Sequence, residues 1–221
     1  MRKIADAPEI YDISPVLSER TAVFPGDEPF SRKVSLDFES GSKNLLLSSI
    51  LTTVHLGAHT DAPNHYDPRG VSIAERALSF YIGACQVISV HLPRGERIRP
   101  KDLNGTRALA PRVLFKTGSY PDPDCWNPDF NSLSAELVDK LASQGVVLVG
   151  IDTPSIDPAE DKVLESHQAV ARHDLAILEG IVLKDVPDGF YTLVALPLRL
   201  EGADASPVRA VLIKNGTYQY V

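Results

Sequence analysis

The stretch Thr53-Val54-His55-Leu56-Gly57-Ala58-His59-Thr60-Asp61-Ala62-Pro63-Asn64-His65-Tyr66 places three of the six histidines of the chain within eleven residues. In extended chain, side chains alternate between two faces, so His55, Gly57, His59 and Asp61 are expected on one face. Two imidazoles and a carboxylate converging there make a donor set suited to zinc or manganese. Gly57 is expected to leave open space where a side chain would crowd an ion. Pro63 should end strand pairing, and the following turn can bring His65 back over the ion without making it a ligand. Imidazole titrates near neutral pH, so a non-ligand His65 is suited to moving protons. An HxxxH pair on a helix would also bring His55 and His59 together, but Gly57 and Pro63 both oppose a helix. The bland reading is that these polar groups only satisfy one another in a buried turn, and the density of donors argues against it.

A second set of donors lies downstream. Ser166 is placed to start a helix through about His173, with His167 in its first turn. Glu179 interrupts the apolar, strand-like run 177–183, where a carboxylate is costly to bury unless it is ion-paired or bound to metal. An Arg or Lys partner is the plain alternative for Glu179. His173 competes with His167, being six residues from Glu179 where His167 is twelve, and the pattern does not choose between them.

Strands dominate the elements that must position these residues. Apolar or alternating segments at 33–38, 45–53, 84–91, 113–117, 146–151, 191–198 and 208–213 read as strands, with 146–151 and 208–213 apolar enough to be central. Ser134 can cap a helix over 135–143, whose Leu137, Val138 and Leu141 share one face before Gly145 stops it. Ser72 can start a short helix through Leu78. Many of the seventeen prolines adjoin Asp or Gly and mark turns. No repeat or Gly/Ser linker divides the chain, and no GxGxxG follows a strand. The expectation is one α/β domain over residues 1–221, rich in strands and different from a regular doubly wound fold.

Composition narrows the function classes. A net charge of −7 and a pI near 5.3 argue against a nucleic-acid binder. The densest basic patch, Arg94 to Lys101, also contains Glu96 and two prolines and reads as a solvated loop. The N-terminus MRKIADAPEI has no apolar stretch behind its basic residues, and no apolar run approaches membrane-spanning length. Cys85 and Cys125 stand forty positions apart without a CxxC spacing, so a reducing cytoplasm is expected, with Cys85 in the core and Cys125 incidental in a loop.

The motif HxGxHxDAPxH, with the later Gly150-Ile151-Asp152-Thr153-Pro154-Ser155-Ile156-Asp157 and Leu178-Glu179-Gly180, resembles the cyclase-like metal hydrolases, and within them the bacterial kynurenine formamidases. The similarity runs from Tyr11-Asp12-Ile13-Ser14 to Ala205-Ser206-Pro207-Val208-Arg209. Its flanking matches include Lys116-Thr117-Gly118 and Ala195-Leu196-Pro197-Leu198-Arg199. The resemblance implies two divalent metal ions per chain, zinc foremost and manganese as an alternative. His55, His59 and Asp61 would hold the first, Asp61 would bridge to the second, and His167 and Glu179 would complete the second set. It prefers His167 to His173 and makes His65 the catalytic histidine. It also implies a mixed three-layer β/β/α fold of swivelling type, a small aryl formamide substrate, and a homodimer with pockets near the subunit interface. Two positions depart from the pattern: Ala58 stands where Thr is usual, and Phe24 stands where Trp faces the substrate. Phe24 reads either as an aryl-stacking wall or as a turn-anchoring aromatic. Rival readings are a related amide or lactam hydrolase of the same family, such as an isatin-type ring opener, and a non-catalytic metal-binding module. A serine hydrolase lacks support, because no GxSxG elbow is present.

Overall fold

The computed structural model describes residues 8–39 and 44–214, and the basic residues of the N-terminus lie outside them. In chain order the elements are β1 (Ile10–Asp12), β2 (Ser31–Leu36), β3 (Leu47–Leu51), β4 (His59–Asp61), β5 (Ile82–Ser89), β6 (Arg97–Ile98), β7 (Arg112–Lys116), β8 (Ser132–Leu133), α1 (Ala135–Ser143), β9 (Leu148–Ile151), α2 (Glu165–His173), β10 (Ala176–Leu178), β11 (Gly189–Val194), β12 (Ala205–Pro207) and β13 (Val211–Lys214). Seven strands form one mixed sheet in the order β1-β13-β11-β5-β7-β9-β10. The β5-β7-β9-β10 half is parallel, and the β1-β13-β11-β5 half is antiparallel. This is the mixed α/β architecture expected.

Alternation along the strands builds a core on each face of the sheet. Val113, Phe115, Val149, Ile151 and Ile177 face α1 and α2, where they meet Leu137, Val138, Leu141 and Val170. Leu114, Leu148 and Leu178 point the other way, against Ala58, Ala62, Ile73 and Tyr81. That second layer carries the histidine motif. Its regular part is small: β4 pairs with β12 over three residues, with Ala205 opposite Asp61 and Pro207 opposite His59. β2 and β3 form a separate hairpin with a register shift between Val34 and Leu36.

The helix over 135–143 forms with the expected bounds, and the Ser134 hydroxyl accepts the Leu137 N–H at 3.1 Å. Three other expectations need correction. The segment after Ser72 makes two 3-10 turns, Ile73–Glu75 and Leu78–Phe80, because the backbone turns extended at Arg76 and Ala77 between them, although Ser72 and Glu75 form a capping box. Ser166 does not cap α2: Leu164 occupies that position, and Ser166 lies one residue inside the helix. The patch Arg94 to Lys101 is not simply a solvated loop. It includes β6, with Ile98 fully buried and Arg97 drawn inward by acidic partners.

Candidate functional site

Loops leaving the carboxyl ends of the parallel strands converge on the second layer, where ligand sites of parallel sheets form. Glu179 follows β10 directly. Its backbone bridges that of His59, with His59 N–H donating to Glu179 C=O at 3.1 Å and Glu179 N–H donating back at 3.0 Å. Two segments from distant parts of the sequence are thereby fixed side by side. The close approach requires two glycines. A Cβ on Gly180, at φ +63°, would lie 2.0 Å from the Gly57 carbonyl oxygen, and one on Gly57, at φ +56°, would meet Leu17 at 2.5 Å.

Gly57 therefore works differently from the expectation of an open space beside an ion. Its left-handed backbone breaks the period-two run, so only 59–61 of the motif is strand and His55 lies in a turn. Its carbonyl accepts the Nδ1–H of His59 at 2.9 Å, which leaves Nε2 with a free lone pair facing the site.

The six polar residues that the resemblance assigns to the site line one cavity of about 590 Å³: His55, His59, Asp61, His65, His167 and Glu179. Asp61 sits at the middle. One of its oxygens, Oδ1, lies 3.0 Å from His55 Nδ1 and 3.5 Å from His59 Nε2, and the other, Oδ2, lies 3.3 Å from His167 Nε2. Glu179 reaches His59 Nε2 at 3.1 Å and His167 Nε2 at 3.7 Å. Its Oε1 accepts Ile156 N–H at 2.6 Å. No Arg or Lys partner of Glu179 is found among the described residues. His65 follows on a 3-10 turn, Pro63–His65, that begins where β4 ends. His173 lies away from the cluster, at the surface, with its Nε2 2.9 Å from Asp139.

The donor set fits a divalent cation. Among the described residues, His59 Nε2 and Asp61 Oδ1 are buried polar atoms without a hydrogen bond. Leaving such atoms unsatisfied costs about 1–3 kcal/mol each. His55, His59 and Asp61 can bring one donor atom each within 4.8 Å of one another, as can Asp61, His65 and His167, and His55, His65 and Asp204. Burial pushes the His55 imidazole down, but hydrogen bonds and charge from Asp61 and Asp204 outweigh it and lift its pKa to about 9. Burial also opposes protonation of His167, yet Asp157, Asp61 and Glu179 raise it to about 10. Burial raises the Asp61 carboxyl, and His167 and His55 more than reverse this, holding it well below the usual range. The carboxylates that favour protons on His55 and His167 would equally favour a cation in their place.

Three residues to which the sequence reading gives no role in the site complete the geometry. The buried Asp157 accepts His167 Nδ1–H at 2.8 Å and the His167 backbone N–H at 3.0 Å, and it also takes the Ser166 N–H. It thus supplies the α2 cap that Ser166 was expected to give. Arg97 donates to Asp157 at 2.6 Å and also binds Asp161. Asp204, just before β12, lies 2.9 Å from His55 Nε2 and 3.3 Å from His65 Nδ1 through the same oxygen. Arg97 and Asp204 have no diagnostic spacing, and Asp157, though it closes the stretch 150–157 that carries the resemblance, is given no role from it.

An aromatic wall borders the cluster. Phe24 packs edge-on to Trp126 with ring centroids 4.6 Å apart, and both line a second recess that also touches His55, His59 and Tyr120. Trp126 is thus an indole contributed from a different loop, beside the Phe24 position. Ala58 is buried in the apolar core, 2% exposed.

Residues 11–158 match the Cyclase family, described as "Putative cyclase". The chain is 44% identical over 204 residues to a kynurenine formamidase of Bordetella pertussis and, to the same extent, one of Bordetella bronchiseptica, covering 92% of this chain and 97% of each relative. Its fold superposes on a structure described as a potential metal-dependent hydrolase with cyclase activity, with TM-score 0.81 and 28% identity, covering 95% of this chain and all of that one. With the family matched over most of its length and these relatives matched nearly end to end, the chain belongs to the cyclase family.

Proposed function

We propose that the protein hydrolyses N-formyl-L-kynurenine to L-kynurenine and formate, using divalent cations held by the cluster around Asp61. The observation that carries this reading is the juxtaposition of that cluster with an aromatic recess, in a chain 44% identical to kynurenine formamidases over 92% of its length.

In this reading His55, His59 and Asp61 would hold one cation, and Asp61, His167 and Glu179 would hold a second. The two oxygens of Asp61 face these two groups separately, which supports a bridging role. The nitrogen and oxygen donors suit zinc first and manganese next. Bound there, such ions supply Lewis acidity toward the formyl oxygen and make hydroxide available near neutral pH.

His65 is the proton carrier in this reading. It takes a proton from the attacking water and returns it to the aniline nitrogen as the C–N bond breaks, since an arylamide anion is a poor leaving group. The new C–O bond gives formate, whose acidic proton goes to solvent. Phe24 and Trp126 hold the aryl ring and place the formyl carbon toward His55 and His59. Outside the site, the β2–β3 hairpin exposes Val34, Leu47, Ile50 and Leu51, apolar surface that we assign to a second copy in a homodimer. The two free cysteines, Cys85 buried and Cys125 exposed, suit a reducing cytoplasm.

The test is turnover of N-formyl-L-kynurenine, isatin, formanilide and ring-free N-formyl amino acids, side by side, with metal content measured on the same sample. N-formyl-L-kynurenine is expected to be the best substrate, with about two metal ions per chain and activity abolished by a chelator. Full turnover in chelator would sink the metal reading, and faster opening of isatin would replace the substrate.

A further inference from the structure

Asp204 lies outside the motif, and one of its carboxylate oxygens stands with ring nitrogens of His55 and His65 in a group of donor atoms within 4.8 Å of one another. Its backbone is pinned to the turn that carries His65: Ala62 N–H donates to Asp204 C=O at 2.8 Å, and Asn64 Nδ2 donates to Gly202 C=O at 3.3 Å. The β4–β12 ladder fixes the neighbouring Ala205 opposite Asp61. From this anchored backbone, one carboxylate oxygen reaches both His55 Nε2, at 2.9 Å, and His65 Nδ1, at 3.3 Å, and the two rings lie 4.3 Å apart between centroids.

A carboxylate only accepts hydrogen bonds, so each ring must turn an N–H toward it. The same oxygen therefore selects opposite tautomers in the two rings. His55 gives its Nε2–H to Asp204, so with a cation bound its Nδ1, 3.0 Å from Asp61, would be the nitrogen left as donor to the ion. His65 carries its proton on Nδ1 and keeps Nε2 free to accept a proton. We propose that Asp204 is the positioning residue of His65, fixing its Nδ1–H tautomer and ring orientation while it locks the tautomer of His55. In this assignment Asp204 is not a ligand and acts through the two imidazoles.

The proposal rests on the role of His65 in the formamidase reading, and its test includes a readout independent of turnover. Full-length protein labelled with 15N-histidine is loaded with zinc, and the ring nitrogens of His65 are followed by long-range proton–nitrogen spectra, with His65→Ala assigning the signals. Wild type is expected to show the Nδ1–H tautomer, and Asp204→Ala is expected to lose that single form. With zinc in excess, Asp204→Ala should lower kcat about 10- to 100-fold with KM changed less than about twofold. Asp204→Asn, which keeps the shape and one acceptor oxygen, should recover part of the loss. In a His65→Ala background the Asp204 change should cost little more, because its effect passes through that ring. An unchanged His65 tautomer in Asp204→Ala would overturn the proposal. So would a kcat fully restored by excess zinc, which would reduce Asp204 to a support of His55, or an equal loss in the His65→Ala background. If wild type itself fails to turn over N-formyl-L-kynurenine, the formamidase reading fails, while the tautomer measurement still decides the placement of His65 by Asp204.

Discussion

Asp157→Asn removes one charge from the interior while leaving the shape nearly unchanged. The native carboxylate is fully buried and takes hydrogen bonds from Arg97, from His167 Nδ1, and from the backbone N–H groups of Ser166 and His167. An amide puts a donor where one of those N–H groups now points, and it leaves Arg97 short of an anionic partner. Breaking a buried pair from one side costs about 3–5 kcal/mol. Arg97 keeps its contact with Asp161, so the low end, about 3 kcal/mol, is expected. For a chain of this length that corresponds to a fall in Tm of roughly 6–12 °C. The loss should be accompanied by about 10- to 100-fold weaker metal binding, because His167 loses the acceptor that aims its Nε2 at Asp61. Denaturant unfolding of the chelator-treated protein measures the first effect, and metal titration of the refolded variant measures the second. A variant with wild-type unfolding and wild-type metal affinity would refute the assignment of Asp157 as the cap of α2 and the orienter of His167.

Two other substitutions separate the histidines on α2: His167→Ala should lose about one equivalent of metal and most activity, and His173→Ala should stay near wild type, since its ring only meets Asp139 at the surface. Metal analysis of both variants gives the answer, and metal loss confined to His173→Ala would reverse the assignment. In the metal-free protein the pKa values of His55 and His167, about 9 and about 10, lie above the free value of 6.5. Their stabilisation is therefore complete below about pH 6.5 and is lost as the pH rises through 9 to 10. Urea midpoints of the chelated protein should fall over that window, whereas metal affinity should rise as the competing protons leave; a flat or rising midpoint would contradict the proton-filled cluster.

How much of this is legible in the sequence depends on distance along the chain. The histidine motif is readable because its donors sit within eleven residues. The longer strands are readable because Val113, Leu114 and Phe115, or Leu148 and Val149, belong to apolar runs between turn residues. β6, β8 and β12 are not, because two or three residues carry no measurable periodicity, and β4 is read as extended only through the spacing of its donors and the proline that follows. Gly57 departs from what its position in the motif suggests. Alternation alone puts it on a metal-facing side, whereas its positive φ bends the chain and its carbonyl fixes His59. The choice between His167 and His173 needs Asp157, whose carboxylate fixes the first turn of α2 toward Asp61. Arg97 reads as part of a solvated loop, since no local pattern announces that Asp157 and Asp161 will fold over it.

The layer that holds the site is weak in backbone pairing and rich in polar side chains, and those two facts belong together. The β4–β12 ladder spans three residues, and His59 and Glu179 share one isolated bridge. The donors are nevertheless placed by groups outside the cluster: the Gly57 carbonyl for His59, Asp157 for His167, Asp204 for His55 and His65, and the Ile156 N–H for Glu179. These supports come from several separate loops, and the loops are anchored in the sheet behind them. A cation that binds only the assembled donors therefore stabilises the arrangement of all these loops at once, by mass action on the folded state. The fold supplies approximate positions through β9, β10 and α2, and the side-chain hydrogen bonds supply the aim. Removing one support should then disturb the donors it holds and leave the sheet intact, which is what makes Asp157 and Asp204 separable by experiment.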